Sequence, residues 1–155
     1  MPVVSDDWIP RLVSALAVAI REFCTPLGGE RVVCLDIGCF PWHGSIELSA
    51  LTAVELEADP LMLSPREVAS WRFYNFSDSV ASWTQTAELG KRMSQAYYAA
   101  DDDSRAAIAE AFMRACAIAA TVPEVEAAFR SLPQDPRFRV RVVHPDSGQE
   151  FGPAA

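Results

Sequence analysis

Residues 34–48 read CLDIGCFPWHGSIEL. Two cysteines, a histidine, a tryptophan and two carboxylates share this short span, which reads either as a reactive centre or as a β-hairpin with decorated faces. The flanking pattern favours the hairpin. In RVVCLDIG (31–38), Val33, Leu35 and Ile37 alternate with Cys34, Asp36 and Gly38. In SIELSAL (45–51), Ile46, Leu48 and Ala50 alternate with Ser45, Glu47 and Ser49. A period of two sends successive side chains to opposite sides of a sheet. Residues 31–51 are therefore predicted as two strands joined by CFPWHG (39–44), with one core face and one polar face.

That alternation argues against chemistry in the same stretch. Cys34, Cys39 and His43 have a spacing that superficially suits zinc, but an odd separation puts the two cysteines on opposite faces of a strand. Cys24, Cys116 and His144 supply no second paired motif for a fourth ligand. A Cys39–His43 dyad would need a third group to orient the ring, and none is specified. No phosphate loop, nucleophile elbow, dinucleotide fingerprint or calcium loop occurs. The expectation is no catalytic residue, no metal and no cofactor.

The carboxylates pose a different problem. If Gly38 pairs with Ser45, Asp36 faces Glu47 directly, and like charges so placed destabilise a strand pair. The relief is expected from RFRVRVV (137–143), where Arg137, Arg139 and Arg141 alternate with Phe138, Val140 and Val142. That strand should lie beside the hairpin, with Arg139 or Arg141 near the carboxylates.

Around these strands the chain reads as helical. Ile9, Leu12, Val13, Leu16, Ile20 and Phe23 recur at helical spacing in 8–24, with Asp7 as N-cap and TPLGG (25–29) as the stop. SPRE (64–67) and TVPE (121–124) have the form of capping boxes. Between them, Val80, Trp83, Ala87, Met93 and Tyr97 line one predicted helix. The run DDDS (101–104) opens the next helix, striped by Ile108, Phe112, Ala115 and Ala119. Trp71, Phe73, Tyr74 and Phe76 read as core. The whole, 1–155, is one α+β domain: an antiparallel sheet of hairpin 31–51 and strand 137–143, with a short strand at 149–151, packed on one face by four to five helices.

Totals narrow the function. The chain of 155 residues is 50% apolar and 22% charged, a globular rather than a disordered balance. Its net charge of −8 opposes nucleic-acid and anionic-membrane binding. The first apolar run, LVSALAVAI (12–20), is too short to span a bilayer, and a cytoplasmic location with reduced thiols is expected. Partner-binding candidates are Asp36 and Glu47 on the hairpin, Trp42 and His43 at its tip, and the acidic run Glu55, Glu57 and Asp59. Trp42 either anchors a partner or folds back over the core.

The order of elements, LSPREVASWRFYNF (63–76) after a hairpin and RFRVRVVHPDSG after a helical stretch, resembles small uncharacterised bacterial proteins. Several of those are thought to be immunity proteins of polymorphic-toxin systems. The resemblance implies stoichiometric binding of a basic toxin without catalysis, and it carries no catalytic residues. The rival reading is a small enzyme with a polar pocket around Asp36, Glu47 and His43.

Overall fold

The structure is a computed structural model and describes residues 2–152. Helix α1 (Trp8–Leu27) buries Leu12, Leu16, Ile20 and Phe23 as the spacing predicts. It runs one turn beyond its predicted end, through Pro26, and stops where Gly28 adopts the left-handed conformation at φ 65°. Asp7 stands at the N-cap position, but its side chain does not cap. It accepts the Ser5 hydroxyl and pairs with Arg11 and Arg92 instead.

The hairpin forms as β1 (Val32–Phe40) and β2 (Ser45–Thr52), but its turn is tighter than expected. His43 N–H donates to Phe40 O and Gly44 N–H to Pro41 O, leaving only residues 41–44 outside the strands. Gly44 supplies the left-handed φ of 66° that closes the turn. The register shifts accordingly: Phe40 pairs with Ser45, Gly38 with Glu47 and Asp36 with Ser49. Asp36 and Glu47 are thus diagonal neighbours on one face, not directly opposed, and the expected head-on repulsion is removed by two extra ladder residues.

Leu35, Ile37, Cys39, Ile46, Leu48 and Ala50 enter the main core, as the alternation requires. One residue breaks rank. An irregularity between Val32 and Cys34 sends Val32 into the main core, while Val33 joins Cys34 on the other face.

Strand β3 (Gln134–Val143) lies beside β1, and β4 (Glu150–Phe151) pairs antiparallel with β3. The sheet order is β2-β1-β3-β4. Because β3 runs parallel to β1, with Leu35 opposite Val140 and Asp36 opposite Arg141, the α+β sheet is mixed rather than wholly antiparallel. Parallel neighbours need a long crossover. Helices α3 (Thr86–Ala99), α4 (Asp102–Ala119) and α5 (Pro123–Arg130) supply it, returning the chain so that Pro133 O accepts Val32 N–H. These helices and α1 surround the main core, where Trp8 packs on Phe112. Asp101 caps α4 through Ser104 N–H. Thr121 does not cap α5, because its hydroxyl turns back to Ile118 O.

The second face of the sheet is not open, as the one-sided expectation had it. Helix α2 (Ala53–Ala58) and the segment that follows lie across it, forming a smaller core of Val33, Cys34, Leu51, Leu56 and Trp71. Ser64 does cap, accepting Arg66 N–H, but Pro65–Ser70 is 3-10 rather than α-helical. The same holds for Phe76–Ser79 and for Ala81–Gln85, where Trp83 was expected to lie in a continuous helix with Met93. Tertiary anchors explain the tighter winding. The Trp71 indole donates to Met62 O at 2.6 Å, tying its segment to the preceding turn, and the Trp83 indole donates to Ile46 O at 2.9 Å, holding its segment down on β2.

The hairpin turn rests on α3 backbone against backbone. A methyl group on Gly90 would fall well inside contact distance of the Gly44 carbonyl oxygen. Gly90→Ala should gain about 1 kcal/mol of helix propensity yet lose more through this collision, for a net destabilisation of about 1–3 kcal/mol. Urea denaturation checks it; an unchanged or raised midpoint would show that the turn is not seated on α3.

Candidate functional site

The second face carries a cleft of about 270 Å³ between the sheet and the 3-10 segment. Asp36, Gly38, Glu47 and Ser49 face it from β1 and β2, and Arg66, Tyr74 and Pro145 from the segments around it. The sequence put Asp36, Glu47 and Ser49 on one face, and the pleat delivers them there. Gly38 keeps the floor low, since a methyl group there would meet the Phe40 ring at 2.8 Å.

Arg141, on the neighbouring strand, holds Asp36 from outside the cleft lining. Its Nε lies 3.1 Å from Asp36 Oδ2, and both side chains are almost fully buried. Nη1–H donates to Leu63 O at 2.6 Å, and the guanidinium lies over the Trp71 ring, 5.4 Å from its centroid. Nη2 is buried and has no hydrogen-bond partner among the described residues. Burial pushes the Asp36 carboxyl above the ordinary range; Arg141 pulls the other way, and Glu150 and Glu47 add to the rise. The expected arginine relief is real and specific: Arg141 takes it, while Arg139 pairs with Glu150 at 3.0 Å.

At the outer end the Tyr74 hydroxyl donates to Glu47 Oε2 at 3.3 Å. Burial and the Glu47 charge raise the Tyr74 phenol. Ser49 Oγ accepts Asn75 N–H at 2.8 Å, fixing the loop that carries Tyr74. A second depression of about 370 Å³ adjoins the first, sharing Phe40, Glu47, Tyr74 and Pro145 and adding Trp42, His43 and Asp146.

Trp42 takes neither extreme of its two expected placements. It is half-buried, edge-on to Phe40 and Tyr97, with His144 5.8 Å away, and its carbonyl accepts the Tyr98 hydroxyl. His43 is exposed beside it. Glu55, Glu57 and Asp59 lie elsewhere, past the far end of β2, roughly 25 Å away at 3.3 Å per residue. Glu55 is committed to Arg72 N–H and Thr52, and Asp59 to Leu61 N–H; Glu57 is exposed.

Cys34, Cys39 and His43 do not converge. Cys34 sits in the second core, where burial pushes it up to about 11. Cys39 lies in the main core, 3.5 Å from Met93 Sδ, raised by the neighbouring Cys116 thiol and by burial. Neither thiol meets His43. Among the described residues no group of three or more His, Cys, Asp or Glu side chains could hold a metal ion. No single helix there is long and apolar enough to cross a membrane.

Sequence reasoning missed Tyr74, Arg66 and Pro145. Tyr74 was expected in the core, yet it is 43% exposed. The chain is extended enough at 73 for Phe73 O to accept Ala50 N–H, so neighbouring aromatics diverge: Phe73 and Phe76 pack on Phe23 while Tyr74 turns out.

Arg141→Met should destabilise the fold by about 3–5 kcal/mol at pH 7, because a buried carboxylate loses its counter-charge. The Asp36 pKa, already raised on folding, rises further in that variant. Its preference for the folded state is fully present below the unfolded carboxyl pKa and is lost as pH climbs through the folded value. The deficit should therefore shrink as pH falls toward 4, and Asp36→Asn added to Arg141→Met should recover much of it. Urea midpoints at both pH values check this; equal deficits would sink it.

Comparison with family models, with characterised proteins and with solved structures found no match for this chain.

Proposed function

We propose that the chain is a protein-binding domain that receives a basic partner in the paired depressions beside the hairpin tip. One observation carries this reading: Phe40, Glu47 and Tyr74 wall both hollows at once. A carboxylate flanked by aromatic rings suits a guanidinium or ammonium group, which pairs with the acid and lies against the ring face. Trp42 and His43 extend the aromatic surface, and Asp146 adds a second acid on the rim.

Supporting features lie outside the cleft. The net charge of −8 favours capture of a basic protein by long-range attraction. Neutralising a basic toxin, as an immunity-type protein does, needs such a surface and no chemistry. Glu57 stands too far away to belong to the same contact.

A second reading, a small enzyme, is favoured by Asp36, which combines burial, a cleft and a raised proton affinity. Its ion pair with Arg141 counts against it, because a carboxylate held by a buried cation is poorly placed to exchange protons with a substrate. His43, the third member of that pocket, opens on the adjoining hollow rather than on Asp36.

The test is capture of the protein products of neighbouring genes, followed by kinetics on any complex. Glu47→Lys should weaken binding at least about tenfold, with much of the loss in the association rate. Co-expression should also relieve the partner's toxicity with the wild-type chain and fail with the variant. Tight binding indifferent to Glu47, or no captured partner, would overturn the reading.

A further inference from the structure

The opposite edge of the sheet holds a separate surface. Strand β4 covers only Val142 and Val143 of β3. Among the described residues no strand pairs with the outer edge of β3 from Gln134 to Arg141. His144 N–H donates to Gln149 O, so the pairing of Val142 with Phe151 is the next hydrogen-bonded pair of that ladder. Backbone groups alternate between edges, so Val140 and Phe138 present their amide and carbonyl on the same outer side as Val142. Under this edge runs an apolar groove of about 330 Å³, lined among others by Ala117, Ala120, Phe129, Phe138, Val140 and Phe151.

We infer that this edge binds an extended peptide strand with alternating acidic and apolar side chains. Strand β4 is the internal precedent. Its Glu150 pairs with Arg139 on one face of the sheet, while Phe151 enters the groove on the other. Farther along β3 the same alternation continues without a strand partner among the described residues, with Arg137 and Arg139 on one side and Phe138 and Val140 on the other. Arg139 is half-exposed, and its present pair with the equally exposed Glu150 is of the surface kind, weak enough to exchange. Arg137 is held by the buried Asp135 through two guanidinium nitrogens and its own N–H, so it contributes positive charge to this face rather than a free fork. A peptide added to the edge satisfies backbone groups that no strand among the described residues takes up, sets its acids against the arginines and buries its apolar side chains in the groove.

Charge separates this occupant from a second copy of the chain. Two β3 edges meeting antiparallel would set arginine against arginine on one face, which is destabilising. Edge arginines therefore discourage self-association while remaining open to an acidic strand.

The experiment uses the whole chain and two seven-residue peptides, acetyl-Glu-Val-Glu-Phe-Glu-Val-Glu-amide and its counterpart with Lys for every Glu. Binding is followed by calorimetry, and amide exchange by NMR. The acidic peptide should bind at least about tenfold tighter than the basic one and slow exchange at Val140 and Phe138. Val140→Pro, which removes one edge N–H, should abolish that protection. Arg139→Glu should reverse the peptide preference, and it keeps the test decisive if the proline variant fails to fold. Equal binding of the two peptides, no binding of either at millimolar concentration, or protection located elsewhere would overturn the inference. So would a concentration-dependent dimer of the unliganded chain that protects Val140 by itself.

Discussion

The contact between Asp36 and Arg141 joins three parts of the molecule at one point. Asp36 belongs to β1, Arg141 to β3, and the Leu63 carbonyl to the segment lying over both. Burying two charges costs more than their attraction returns unless geometry and further hydrogen bonds complete the arrangement. Here the indole of Trp71 covers the guanidinium and a backbone carbonyl takes a second N–H. The pair is thus better understood as fixing which strands are neighbours, and at what register, than as a source of net stability. A slip of β3 by one residue would put Val140 or Val142 opposite the carboxylate in place of the guanidinium, and an arginine into the helical core.

Much of this was legible from side-chain periodicity. The hairpin, the long first helix, the α+β class and the arginine strand beside the carboxylates all follow from where apolar residues recur. What periodicity does not carry is the identity of a turn. Pro41 to Gly44 could have closed as part of a six-residue loop; only the left-handed Gly44 and its contact with Gly90 select the shorter one. That choice moved Asp36 away from Glu47. Strand direction was hidden for a related reason: β3 returns through three helices, and no local pattern says from which end it enters the sheet.

The misread helices are instructive. Ser64, Pro65 and Glu67 have the chemistry of a helix start, and Ser64 does cap its turn. Local preference was then overruled by two indole hydrogen bonds, from Trp71 and Trp83, whose acceptors lie in distant or irregular backbone. The cleft inherits this uncertainty. Its floor, Asp36, Glu47 and Ser49, could be read from alternation in two strands. Its far wall, Arg66 and Tyr74, could not, since it depends on how a non-periodic segment lies on the sheet.

The seam between Gly44 and Gly90 has a consequence for recognition. Two glycines brought together leave no side chain between them, so the loop bearing Trp42 and His43 leans on the spine of α3 with nothing compressible in the gap. Such a tip is held in place before any ligand arrives. It behaves as a rigid die rather than a pliable finger, and whatever fits it must already have the matching shape, because little disorder remains here to be frozen out on contact.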